Sequence, residues 1–154
     1  VLWAGGGASA FDRTKYLEIG GLDPLYDPFY VEDTDLSYQA WKRGWKCVLA
    51  PASHVTHKHR GTSRPKFGNE FVDNTIRRNQ FLFVWKNVTD FRMTLSHVIH
   101  LPYIHASAML HRAPSFEIQA FLSALRLLPE AVLKRFANMP SQVYADREVL
   151  KFSQ

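Results

Sequence analysis

The chain of 154 residues holds one cysteine, Cys47. A lone thiol excludes a disulfide framework and any cysteine-built zinc module, and it fits a reducing compartment. No stretch offers the ~18 uninterrupted apolar residues of a membrane span. No Met-led basic segment precedes an apolar run, so no signal peptide is expected, and a chain opening on Val1 reads as a piece of a longer protein. There is no internal repeat and no low-complexity tract. The basic residues form no consecutive run, which argues against a nucleic-acid binder despite a pI of about 9.5.

What is present is a globular balance. Hydrophobic residues make up 46% and charged residues 21%, enough to bury a core and too apolar for disorder. The length fits one domain. Lys and Arg exceed Asp and Glu by 19 − 14 = 5. Residues 1–63 carry seven of each sign, so the excess lies wholly in residues 64–154, with twelve basic and seven acidic. A basic second half points either to an anionic partner or to a solvated basic face.

Val1 to Ala10 is apolar and broken by Gly5-Gly6-Gly7, and reads as a buried strand that lets a ligand or backbone come close. Asp12-Arg13-Thr14 opens a short helix that Gly20-Gly21 ends. Asp23-Pro24 and Asp27-Pro28 are turn signals. A helix follows from Thr34 to Arg43, then strand-like stretches at Trp45–Ala50 and His54–His57. From Asn69 the texture is helical, with further helices over Asp90–Leu110 and Ser115–Asn138. The last has an apolar stripe of Ile118, Phe121, Leu125, Leu128, Val132 and Phe136. The expected organisation is therefore α/β over residues 1–63 and an α-helical extension over 64–154.

Two clusters carry candidate chemistry. Glu32-Asp33-Thr34-Asp35 places three carboxylates at a helix entrance. They serve either as caps on free amides or as a site in which one carboxylate is a general base. His54-x-x-His57-x-His59 offers imidazoles for a divalent ion, with His57 and His59 on one face of a strand, or else a set of exposed loop histidines. Phe81, Phe83, Trp85 and Phe91 interleave with Arg77, Arg78, Lys86 and Arg92. Such a segment either lies on a membrane surface or packs inward. His97, His100, His105 and His111 read as packing or surface residues.

In order and spacing, these features resemble the second half of family 2 glycosyltransferases of the GT-A (Rossmann-like) fold, and most closely the bacterial rhamnosyltransferase-type members. The resemblance rests on Gly7-Ala8, Ile19-Gly20-Gly21-Leu22-Asp23-Pro24, Glu32-Asp33-x-Asp35-Leu36-Ser37, Arg43-Gly44-Trp45, Pro51-x5-His57 and Gly61-Thr62-Ser63. Leu22 stands where the family has Phe. The match is tight over residues 3–63 and looser at Arg78-Asn79. It implies Asp33 as catalytic base, Glu32 as its support and His57 as a ligand to Mg²⁺ or Mn²⁺. It also implies Gly7, Ala8 and Asp35 on the substrate side, Asp35 chiefly bracing the helix start. The reaction implied is inverting transfer from a nucleotide-sugar donor to a polysaccharide or lipid-linked acceptor.

The nucleotide-binding half of that family, with its Asp-x-Asp, does not precede Gly7 here. Activity is therefore expected of a parent protein, and the fragment alone is expected to be inactive. The processive Gln-x-x-Arg-Trp motif is also missing. The implied location is the cytoplasm, peripheral at the inner face of the plasma membrane. An unpaired sheet edge makes self-association an expectation. The competing reading is a non-catalytic module for membrane or protein association.

Overall fold

The computed structural model describes residues 1–56, 61–111 and 114–152. Their regular elements are helices: α1 (Arg13–Ile19), α2 (Glu32–Lys42), α3 (Ser63–Phe67), α4 (Asn69–Asn87), α5 (Phe91–His111), α6 (Pro114–Asn138) and α7 (Asp146–Lys151), with short 3₁₀ turns at Pro24–Tyr26 and Met139–Ser141. Local signals set several boundaries. Asp12 caps α1 by accepting from Thr14 N at 2.9 Å and Lys15 N at 3.1 Å. Gly20 ends α1 at φ 97°, a left-handed backbone that costs glycine nothing.

The strands expected at Val1–Ala10 and Trp45–Ala50 are not formed among the described residues. The reason lies in where their polar groups go. Ala4 N donates to Ser37 Oγ at 3.0 Å, and Gly6 N donates to Asp33 Oδ2 at 2.9 Å. Trp41 Nε1 donates to Val1 O and Leu2 O at 3.3 and 3.1 Å. Asp33, Ser37 and Trp41 recur every four residues along one side of α2, so the first segment lies along a helix face. A single bond, from the Val1 amine to Cys47 O at 3.1 Å, joins the two stretches that were expected to be strands. Strand propensity without a neighbouring strand leaves the backbone extended but unladdered.

The core crosses the expected division between residues 1–63 and 64–154. Leu25 and Tyr26 from the first segment pack with Phe81 and Leu82 of α4 and Ala124 and Ala131 of α6. The face that α6 buries is Glu117, Ala120, Ala124 and Ala131. The expected stripe is turned partly outward, with Ile118 47% and Phe136 62% exposed. Small residues at those positions let α4 approach closely, and the large apolar residues sit beside that seam. The aromatic and basic residues of α4 turn mostly inward. Phe81 is buried, Arg77 meets Glu117 at 2.7 Å, and Lys86 is 3% exposed. Among the described residues no helix is long and apolar enough to cross a membrane.

Charged pairs join the helices inside this core. Asp146 of α7 is fully buried and lies 2.8 Å from Lys42 Nζ of α2. It also accepts from Tyr38 Oη at 2.6 Å, Thr89 N at 2.8 Å and Asp90 N at 2.6 Å. Burial pushes the Asp146 carboxyl up, but the hydrogen bonds from Lys42, Tyr38 and the Asp90 amide outweigh it and hold the group below its ordinary 3.8. Glu117, between Arg77 and His105, is likewise held below its ordinary 4.5 against burial.

Both carboxylates thus prefer ionisation more strongly in the fold than in the open chain. The stabilisation is whole above those ordinary values and is lost as the pH falls through them toward the folded values. Urea midpoints should accordingly drop below pH 4 as these two contributions are lost. Lys42→Met should lower stability by about 3–5 kcal/mol at pH 7, because it leaves the Asp146 charge buried without its cation. A midpoint unchanged in that variant removes the pair from the account of the core.

Candidate functional site

The acidic helix start stands on a strained turn. Tyr30 and Val31 have φ of 71° and 80°. This left-handed backbone is unfavourable for residues with a Cβ, most of all for a β-branched one, at about 1–3 kcal/mol each. Asn79 of α4 holds the turn in place. It is fully buried, and its amide nitrogen contacts Tyr26 O at 2.9 Å, Phe29 O at 3.0 Å and Tyr30 O at 2.8 Å. Arg78 Nε donates to Asn79 Oδ1 at 2.9 Å and fixes the orientation of that amide. The Arg78 guanidinium also donates to Asp27 O. Tyr30 Oη and Ser63 Oγ lie 2.5 Å apart and tie the turn to α3.

The three acids then diverge. Helix geometry turns each successive residue by about 100°. Asp33 points to the glycine turn: Oδ2 accepts from Gly6 N at 2.9 Å and Oδ1 from Thr34 N at 2.7 Å. It is half-buried and borders solvent. Gly5 to Ala8 closes a turn through Ala8 N donating to Gly5 O at 3.1 Å, and Gly7 and Ala8 are exposed at its tip. A Cβ on Gly6 would lie 3.7 Å from Asp33 Cβ, an ordinary contact. The structure thus brings Gly7, Ala8 and Asp33 to one place.

Glu32 is different. One of its carboxylate oxygens is buried with no hydrogen-bond partner. Burial raises its pKa above the ordinary 4.5, and the charges of Asp33 and Asp27 add to the rise.

Asp35 faces inward. It is 1% exposed, and its oxygens accept from Tyr26 Oη at 2.8 Å, Asn87 Nδ2 at 2.7 Å and Lys86 Nζ at 2.6 Å. These bonds tie the start of α2 to α4 and to the Pro24–Tyr26 turn, and Asp35 also borders a small cavity of about 230 Å³ with Asp23, Gln39 and Lys86. The capping alternative holds only in part: Val31, not an acid, is the N-cap residue of α2, and it makes no side-chain cap bond.

The metal expectation rests on His57, which lies outside the described residues, as does His59. His54 is exposed. Among the described residues no group of three His, Cys, Asp or Glu side chains could hold a metal ion. The described residues therefore do not by themselves assemble a donor set for Mg²⁺ or Mn²⁺.

Comparison with known proteins bears on the glycosyltransferase resemblance. The chain is similar to glycosyltransferases. Over 74 residues it is 28% identical to a probable N-acetylgalactosaminyltransferase 6 of Caenorhabditis elegans, a stretch that covers 48% of this chain and 12% of that protein. It is 31% identical over 74 residues to polypeptide N-acetylgalactosaminyltransferase 5 of the same organism, again 48% of this chain and 12% of that one. It is 31% identical to N-acetylgalactosaminyltransferase 4 of Drosophila melanogaster over 48% of this chain and 11% of that one. The chain thus spans about an eighth of the length of these curated relatives. Their names give N-acetylgalactosaminyl transfer and do not extend to rhamnosyl transfer. No family model matches the chain, and no solved structure matches it.

The acid turn depends on a residue that the sequence did not single out for it. Asn79 stood only at the loose end of the resemblance, because an asparagine inside a helical pattern gives no spacing signal. Asn79→Leu removes the amide and strands three carbonyls of a strained turn. A loss of about 2–4 kcal/mol is expected, with faster amide exchange concentrated at residues 26–33. Exchange that rises evenly over the whole chain instead would mean that Asn79 acts as plain core.

Proposed function

We propose that this chain is the acceptor-side part of a GT-A glycosyltransferase that moves a sugar from a nucleotide-sugar donor to an acceptor hydroxyl with inversion. The observation that carries this reading is the 2.9 Å bond between Asp33 and Gly6. It joins the glycine turn to the acidic helix start across 27 positions, and it leaves the Asp33 carboxylate at the surface where a substrate can reach it. Asp33 takes the proton from the acceptor hydroxyl as that oxygen bonds to the anomeric carbon. The bond from that carbon to the diphosphate breaks, and the nucleoside diphosphate leaves with the electron pair. Direct displacement by one base on the face opposite the leaving group inverts the anomeric centre.

Glu32 supports the base. Its buried, unpartnered oxygen is shut off from an acceptor, which leaves the exposed Asp33 carboxylate to meet it. The extended segments 1–10 and 45–50 are the places where strands of a parent sheet would add. A divalent ion on the donor diphosphate, with His57 among its ligands, belongs to the same reading. It would neutralise charge on the leaving group.

A second reading has its own observation. The outer side of α5 exposes Phe91 at 76%, Ile99 at 63%, Tyr103 at 72% and Leu110 at 84%, and the helix carries no Asp or Glu. A peripheral membrane surface for a lipid-linked acceptor fits that face.

The decisive variant is Asp33→Asn in the parent protein. Transfer should fall by roughly 10²–10⁴-fold with donor affinity unchanged, and Glu32→Gln should cost less. Transfer that survives Asp33→Asn at full rate overturns the assignment of the base. Sedimentation of the chain with anionic vesicles, lost in Phe91→Ser/Ile99→Ser, is the outcome expected of the membrane reading.

A further inference from the structure

A cleft of about 540 Å³ lies between the α3–α4 junction and α6, and its size is in the ~300–1,000 Å³ range of small-ligand sites. Its lining combines two kinds of surface. One is an aromatic shelf. The Phe67 and Phe71 rings stack at 5.7 Å between centroids, and Phe29 stands 5.3 Å from Phe67 and 6.1 Å from Phe71. Phe67 and Phe71 are 41% and 47% exposed.

The other surface is polar and comes from Glu70, Asn74, Arg78 and Gln119. Asn74 Nδ2 donates to Gln119 Oε1 at 3.0 Å across the α4–α6 seam. That bond fixes both amides and leaves the Asn74 carbonyl and the Gln119 NH₂ for another partner. Gly68, between α3 and α4 at φ 79°, has open space where a Cβ would stand.

We infer that this cleft binds the acceptor as a saccharide, with sugar ring faces on Phe67 and Phe71 and hydroxyls on Asn74, Gln119 and Glu70. An apolar ring face beside paired amide and carboxylate groups matches a polyol, whose C–H faces and hydroxyls alternate around one ring. An extended peptide fits less well. The cleft is walled by helices and offers no unpaired strand edge for main-chain hydrogen bonds. The cleft also connects to the acid turn through the chain itself. Phe29 lies three residues before Glu32, and Arg78 both lines the cleft and holds Asp27 O. The inference rests on the glycosyl-transfer reading and names the acceptor class for it.

The test is binding to this chain alone, with no donor present, so its failure is separable from failure of the Asp33 assay. Maltotriose, cellotriose and chitotriose are titrated into ¹⁵N-labelled protein while the side-chain amides of Asn74 and Gln119 are followed. At least one trisaccharide should shift both amides. Phe71→Ala and, independently, Asn74→Ala should weaken its binding roughly five- to tenfold, with amide dispersion reporting that each variant is folded. No shift with any trisaccharide, shifts of equal strength in both variants, or shifts produced only by a Ser/Thr-rich peptide would each overturn the inference. Binding that holds while Asp33→Asn keeps full transfer leaves the saccharide cleft standing and removes the assigned base.

Discussion

The Asp35 carboxylate and the Lys86 ammonium, 2.6 Å apart, form the joint from which the site is hung. Both are buried, and two charges taken out of water cost several kcal/mol each unless they are paired and hydrogen-bonded. Here the rest of the shell completes them. Tyr26 and Asn87 donate to Asp35. Asp23, from the loop before α2, lies 2.7 Å from Lys86 and 2.6 Å from Lys134 of α6. One network thus locks α2 and the loop before it onto α4 and α6. Since Asp33 lies half a turn from Asp35, the same network sets where the surface carboxylate points.

The division of labour among the acids follows from helical pitch. In sequence, Glu32, Asp33 and Asp35 look like one cluster with one purpose. On α2 they face three surroundings: a buried pocket without a partner, a solvent-bordering glycine turn, and the ionic core. The next turns of α2 repeat the pattern. Asp33, Ser37 and Trp41 receive the first segment of the chain. Asp35, Gln39 and Lys42 face the core and α7. A helix of 11 residues therefore has two working sides and little exposed face. This explains why so many of its polar residues are buried and why no simple apolar stripe marks it.

What was legible in the sequence was local. The Asp12 cap, the Gly20 stop and the spans of α4, α5 and α6 follow from capping chemistry and from periodicity. No strand forms at Val1–Ala10 because a strand is defined by its neighbour, and this segment finds a helix face instead of a ladder. The stripe on α6 was misjudged for a related reason. Bulk marks apolar residues in a pattern, but Ala120, Ala124 and Ala131 are buried because their smallness brings α4 near. The turn acids stood out in the sequence as candidates, yet Asn79 did not. Its role arises from three carbonyls some fifty positions away that happen to end beneath it.

α4 is what makes these parts one site. Phe71 and Asn74 line the cleft, Arg78 and Asn79 hold the strained turn, and Lys86 and Asn87 grip Asp35, all on a single uninterrupted helix. At 1.5 Å per residue, the cleft residues and the ionic joint stand about 20 Å apart with the acid turn between them. A helix does not stretch, so the distance from the aromatic shelf to Asp33 is fixed by residue count and not by loop conformation. A substitution anywhere along the inward face of α4 therefore shifts cleft and carboxylate relative to each other. A misplacement of about 1 Å is enough to cost an orientation-dependent reaction about a hundredfold. Burying a lysine in this helix is costly. The return is registry: with Lys86 paired to both Asp23 and Asp35, α4 has one position against the acid-bearing loop and no neighbouring one of equal energy.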